Sequence, residues 1–183
     1  MFNIKIRMIF IIIIYCINNH FNWSTNYQII GVSSFEAMKK MVQIICQSQL
    51  QNNKDSQTYL VHGFDQMDEI TICDNSHLII CKNGKITNES IIDPSKLGFT
   101  KCKIDKIQGQ DPKYNAQQLI KLLDGHKSFY RDIVIINSAY ALLAANVTSD
   151  ITDAINLCIK SIDSKQALKK LKNYQKYSQL FKT

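Results

Sequence analysis

Arginine is nearly absent from this chain. Of 22 basic residues only Arg7 and Arg131 are arginines, although basic exceeds acidic residues by seven. Base and phosphate readers lean on the planar, bidentate guanidinium, so a lysine-borne +7 disfavours a nucleic-acid reader while leaving a phosphate-rich small substrate open. The six cysteines, Cys16, Cys46, Cys73, Cys81, Cys102 and Cys158, contain no CxxC pair, and the four histidines form no HExxH. Structural and catalytic zinc sites of the common kinds need such close ligand pairs, so the spacing argues against one. Free thiols in a reducing cytosol are the expectation, which places the chain in the cytoplasm.

No apolar run is long enough to span a bilayer comfortably. The longest, Met8–Ile17, is about ten residues. Lys5 and Arg7 precede it, as in a signal peptide, yet no A-x-A-like cleavage pattern follows in Asn18–Trp23. Targeting segment, interior segment and mis-assigned start therefore all remain open for residues 1–17. Hydrophobic content of 45% and charged content of 20% are those of a globular chain. With 183 residues, one domain with a real core is expected.

What is present is organised around residues 59–70. The apolar run Tyr59-Leu60-Val61 stops at His62-Gly63, and three acids, Asp65, Asp68 and Glu69, follow within five residues before Ile70-Thr71-Ile72 resumes a strand-like pattern. A strand end followed by a glycine and clustered carboxylates is where a sheet presents ligands. Carboxylates in an irregular loop suit Mg²⁺, which takes one or two of them and keeps water and substrate phosphates for the rest of its shell. A solvated acidic turn has the same composition, and composition does not separate the two.

Around this loop the pattern predicts an α/β fold: a partial, mostly parallel sheet flanked by helices, with a β-hairpin and a helical C-terminal third. Tyr27–Val32 reads as a strand, and Ser33-Ser34 offers the cap for a helix from Phe35 to about Leu50 with Phe35, Met38, Val42, Ile45 and Cys46 on its core face. Return to Tyr59 makes a βαβ unit with parallel pairing. Glu69–Cys73 and Leu78–Cys81 are predicted as short strands, and Asn83-Gly84 as the turn of a hairpin running into Lys85–Ile92. Beyond Gly109 the periodicity turns helical. Ala116, Leu119, Ile120 and Leu123 are expected on one buried face. Arg131–Ala145 is apolar nearly all round, so Asn137 and Ser138 within it must find hydrogen-bond partners, and Asn137 is expected to serve packing rather than chemistry. The last helix sets Lys165, Lys169, Lys172 and Lys176 on one stripe and Leu168, Leu171, Tyr174 and Phe181 on another, a solvated face and a docked face.

The ordered segments His62-Gly63-Phe64-Asp65-Gln66-Met67-Asp68-Glu69, Gln28–Val32, Gly109–Ala116, Arg131–Ala139 and Ala154–Ala167 together resemble the anthranilate phosphoribosyltransferase family, nucleoside-phosphorylase-like glycosyltransferases, in the order that family has them. The resemblance covers residues 27 to 179 and about the C-terminal half of a family member. It implies that residues 27–183 are the C-terminal part of the family's α/β catalytic domain, and that residues 1–26 are a divergent remnant in which Ile6–Phe10 stands for the family's R-T-x-F-N stretch. It further implies transfer of phosphoribosyl from phosphoribosyl pyrophosphate to anthranilate in tryptophan biosynthesis. Asp68 and Glu69 would hold Mg²⁺, with His62, Gly63 and Asp65 shaping the loop. Gln66 stands where the family has glycine. The family's glycine-rich phosphate loop, metal-binding serine, Lys-His-Gly-Asn segment, anthranilate-facing arginine and dimer-forming helical domain have no counterpart in these residues, so no catalytic or substrate-binding residue is assigned. The isolated chain is expected to be inactive, a truncated product that a separately encoded N-terminal half or a corrected start would complete; the alternatives are a nucleic-acid-binding relative or a decayed fragment.

Overall fold

The computed structural model describes residues 27–52 and 55–179. The expectations for residues 1–26 and for Phe181 lie outside the described residues. Strand β1 (Tyr27–Gly31) leads into helix α1 (Phe35–Asn52), which returns the chain to β2 (Gln57–Gly63). After a loop come β3 (Ser76–Lys82) and β4 (Lys85–Ile92), then helices α2 (Pro112–Leu123), α3 (Phe129–Ala144), α4 (Ile151–Asp163) and α5 (Gln166–Gln179). The sheet order is β1-β2-β3-β4.

The α/β class stands, with a mixed sheet. β1 and β2 pair in parallel, as a helical crossover demands, with Ile29 opposite Tyr59 and Gly31 opposite Val61. The other two pairings, β2 with β3 and β3 with β4, are antiparallel. A mostly parallel sheet was the expectation, and among the described residues only one of three pairings is parallel, because only β1 and β2 are joined through a crossover helix while β2–β3 and β3–β4 are joined without one. Asn83 and Gly84 take φ of 52° and 78°, the left-handed pair that a two-residue hairpin turn requires.

Every residue of β2 is buried, since helices cover both faces of this strand. On one face Leu60 joins Ile79, Cys81 and the α1 residues Met38 and Val42, with Phe35, Ile45 and Cys46 packed at the margin. On the other, Tyr59 and Val61 meet Leu78 and the α3 residues Ile133 and Ile136. Helix α3 is buried along most of its length and packs its remaining faces on α4, α5 and the end of α2. Ser34 Oγ accepts the Ala37 amide at 3.1 Å, and Ser128, Asp111 and Asp150 cap α3, α2 and α4 in the same way. No helix among the described residues is long and apolar enough to cross a membrane.

Three local expectations need correction. Glu69–Cys73 forms no strand: the Ile70 and Thr71 amides bond to side chains, Asn137 Oδ1 at 2.9 Å and Ser76 Oγ at 3.0 Å, rather than to a neighbouring backbone. The apolar pattern there reflects anchoring, as Ile70 and Ile72 are fully buried under α3. In α2 the buried residues are Leu122 and Leu123, whereas Ile120 is 41% exposed and Ala116 is exposed, because only the last turn of this helix reaches the core. In α5, Leu168 and Leu171 are buried but Tyr174 is exposed, since the helix outruns the body it packs on.

Candidate functional site

The acidic loop, residues 64–75, springs from the end of β2 and is fixed at four points. First, Gly31 at the end of β1 lies against the backbone of Asp68 so closely that a Cβ there would overlap the Asp68 carbonyl oxygen. Only glycine leaves room for that approach. Second, the Asn137 side chain on α3 takes the Ile70 amide at 2.9 Å and donates to the Ile70 carbonyl at 2.7 Å, pairing with this residue as a neighbouring strand would. Its Nδ2 also reaches the Ile133 carbonyl at 2.9 Å. Asn137 is 1% exposed, and these bonds use both N–H donors and one of the two lone pairs of Oδ1, whereas Ser138 Oγ is buried without a partner among the described residues.

Third, the loop closes on itself. The Gly63 amide donates to the Met67 carbonyl at 2.8 Å and the Gln66 amide to the Gly63 carbonyl at 3.0 Å, while the Phe64 amide donates to the Asn75 carbonyl at 2.9 Å. This tight closure puts Gln66 at φ 70°. Gly63 itself stays outside the left-handed region, so its small size matters more than backbone freedom: a Cβ would lie 2.5 Å from Asp65 Oδ1 and 3.1 Å from Thr71 Cγ2. Fourth, Thr71 Oγ1 donates to Asp65 Oδ2 at 2.6 Å and accepts the Cys73 amide at 2.9 Å, while Asp65 Oδ1 accepts the Met67 amide at 3.3 Å. Asp65 is thereby turned inward to hold the loop.

His62, the penultimate residue of β2, is buried, and its Nδ1 donates to the Val32 carbonyl at 2.7 Å, since a carbonyl can only accept. This bond ties the end of β2 to the turn that follows β1. His62 faces His77 across the β2–β3 pair, with ring planes 1° apart. His77 in turn stacks on Phe35 at 4.1 Å and meets Phe64 at 4.5 Å. Burial, then the neighbouring His62, pulls the His77 imidazole below its usual pKa.

Asp68 and Glu69 follow directly. Asp68 is half-buried, and Glu69 is 6% exposed. Glu69 lies near Tyr130 on α3: burial pushes the Tyr130 phenol up to about 12, and the Glu69 charge adds to the rise. No group of three or more His, Cys, Asp or Glu side chains that could hold a metal ion occurs among the described residues. Two adjacent carboxylates on a backbone pinned by Gly31 and Asn137 nevertheless match the donor set of Mg²⁺, which commonly takes one or two protein carboxylates and fills its shell from water and substrate phosphate.

Sequence reasoning singled out the acids, His62 and Gly63, and noted Asn137 as a polar residue needing partners. It missed Thr71, Ser76 and the contact of Gly31 with Asp68. Thr71 reads as a strand residue, Ser76 falls between the two expected strands, and nothing in a sequence announces which backbone a glycine will touch.

A parallel βαβ unit whose second strand ends in a pinned acidic loop, backed by a buried helix, belongs to a recognisable class. A model of the glycosyl transferase family, a/b domain, matches residues 5–168, and the chain belongs to this family. Among curated relatives, anthranilate phosphoribosyltransferase of Clostridium beijerinckii is 44% identical over 121 residues, 66% of this chain and 34% of the relative. That of Caldicellulosiruptor saccharolyticus is 32% identical over 154 residues, 84% of this chain and 44% of the relative. The fold is similar to that of anthranilate phosphoribosyltransferase from Saccharomyces cerevisiae in complex with 4-fluoroanthranilate, with a TM-score of 0.70 at 22% identity over 80% of this chain and 41% of the other. It is similar to the same yeast protein in complex with PRPP and Mg, with a TM-score of 0.67 over 80% and 40% of the two chains. This chain therefore spans between about a third and somewhat less than half of the length of the relatives it matches.

Proposed function

We propose that this chain carries the metal-loop portion of an anthranilate phosphoribosyltransferase, acting in tryptophan biosynthesis with phosphoribosyl pyrophosphate and anthranilate as substrates. The observation that supports this reading is the pinned loop. Asp68 and Glu69 sit in the loop that follows β2, with Gly31 and Asn137 holding the backbone around them. In this reading Asp68 and Glu69 hold Mg²⁺, which when bound would supply positive charge against the departing pyrophosphate. His62, Gly63 and Asp65 fix the path of the loop, and the chain's own contribution is a rigid pair of carboxylates that need not reorganise as charge develops.

The phosphate cradle and the anthranilate-facing arginine belong to the part of the family that the resemblance puts upstream of these residues. The family match beginning at residue 5 supports reading the apolar N-terminal stretch as an interior segment of the domain rather than a targeting sequence. Placement in the cytosol is supported by the thiols of Cys46, Cys73, Cys81, Cys102 and Cys158, all free. A nucleic-acid-binding role has no support from the relatives, which carry the enzyme's name.

The test pairs the chain with the N-terminal half of the C. beijerinckii relative and follows Mg²⁺-dependent loss of anthranilate fluorescence. Asp68→Asn with Glu69→Gln is expected to abolish turnover; unchanged turnover would remove these acids from the metal site. Binding of Mn²⁺ to the chain alone, weakened by the same double substitution, gives a readout that does not need the partner half.

A further inference from the structure

Cysteines that are far apart in sequence and form no CxxC pair are brought together by the fold. Cys73 Sγ and Cys102 Sγ lie 3.7 Å apart, and Cys46 Sγ and Cys81 Sγ lie 3.4 Å apart. The first pair sits where the end of the acidic loop meets the segment after β4, and the Cys102 amide donates to the Ile72 carbonyl at 3.4 Å, so the two backbones run side by side. Both thiols are half-buried rather than sealed, whereas Cys81 of the second pair is fully buried.

We propose that Cys73 and Cys102 are an oxidation site, closing to a disulfide when the chain meets a peroxide. The two sulfurs, 3.7 Å apart, must draw together to the bond length of about 2.05 Å. Cys73 reacts first. Burial raises both thiols and pushes Cys102 up to about 12, while hydrogen bonds from Cys102 and Thr71 restrain the rise at Cys73, leaving it the more readily ionised of the two. The Cys73 sulfur takes one oxygen atom from hydrogen peroxide, giving a sulfenic acid and one water. Cys102 Sγ then attacks that sulfur, forming the S–S bond and releasing a second water, so the pair loses two electrons and two protons to the peroxide.

Closure has a structural consequence at the loop. The Cys73 amide bonds to Thr71 Oγ1, which holds Asp65 Oδ2 at 2.6 Å. Drawing Cys73 toward Cys102 therefore pulls on the bond that turns Asp65 inward. The inference does not depend on metal binding by Asp68 and Glu69.

The experiment treats the full chain, folded and reduced, with hydrogen peroxide, blocks remaining thiols, and maps linked peptides by mass spectrometry without reduction. A peptide pair joined through Cys73 and Cys102 is expected. Cys102→Ser should abolish the link and leave Cys73 trapped by a sulfenic-acid reagent. If Cys73 and Cys102 stay unlinked while peroxide consumes other thiols, or if the links scramble among all cysteines, the proposal fails. Cys73→Ala, which removes the reacting sulfur with little change in volume, must also abolish the link.

Discussion

Asn137, in the middle of a buried helix, holds both the amide and the carbonyl of Ile70, at 2.9 and 2.7 Å. One side chain thus does for the acidic loop what a neighbouring strand does for a strand, while Gly31 contacts the same loop at Asp68. Asn137→Leu would leave the Ile70 amide and carbonyl buried without partners. A loss of about 2–4 kcal/mol in unfolding free energy is expected, from two unsatisfied backbone groups. Urea denaturation of the two proteins measures it, and a loss below 1 kcal/mol would mean that the loop finds other partners.

Gly31→Ala tests the other side of the loop. The new Cβ would fall on the Asp68 carbonyl oxygen, so either β1 or the loop must move. Because the obstacle is backbone rather than the tip of a flexible side chain, a destabilisation above about 2 kcal/mol is expected. Affinity for Mn²⁺ should fall with it, as Asp68 is displaced. Full retention of both properties would contradict the close packing of β1 on the loop.

Gln66 carries a positive φ of 70° in an exposed turn where the family resemblance has glycine. A left-handed conformation costs a residue with a Cβ about 1–2 kcal/mol, part of which glycine returns through its larger entropy in the unfolded chain. Gln66→Gly should therefore stabilise the chain by up to about 1 kcal/mol, while Gln66→Val should weaken it. Thermal unfolding of the three proteins side by side reads the order directly.

His77 gives the fold a pH dependence. Packing against Phe35 and Phe64 favours its neutral ring, and the nearby His62 opposes a second positive charge, whereas Glu89 pulls weakly the other way. The folded-state pKa is thus below the unfolded value of about 6.5. A depressed imidazole pKa contributes stability that is present above the unfolded value and lost as pH falls through the folded one. Urea midpoints should drop between pH 7 and pH 5, and His77→Phe, which keeps the stack but cannot take a proton, should flatten that share of the drop.

Local chemistry made much of this protein legible in its sequence. The βαβ unit follows from apolar runs and from the Ser34 cap, the hairpin from Asn83-Gly84, and the buried helix from an apolar pattern without a polar face. Each depends on residues close in the chain. The acids too were visible as a cluster, because Asp65, Asp68 and Glu69 are neighbours in sequence.

Tertiary structure alone decided how that cluster is held and what lies beside it. Ile70-Thr71-Ile72 alternates like a strand, yet Asn137 and Ser76 capture its amides, and no local propensity encodes a partner 67 residues away. Asp65 and Asp68 look equivalent in sequence; Thr71 turns the first inward, and Gly31 fixes the backbone of the second. Cys73 and Cys102, 29 residues apart, become neighbours only because one backbone segment docks on another. Sequence period sets which face of an element is apolar; which residues then meet across those faces is settled by close packing of the whole chain.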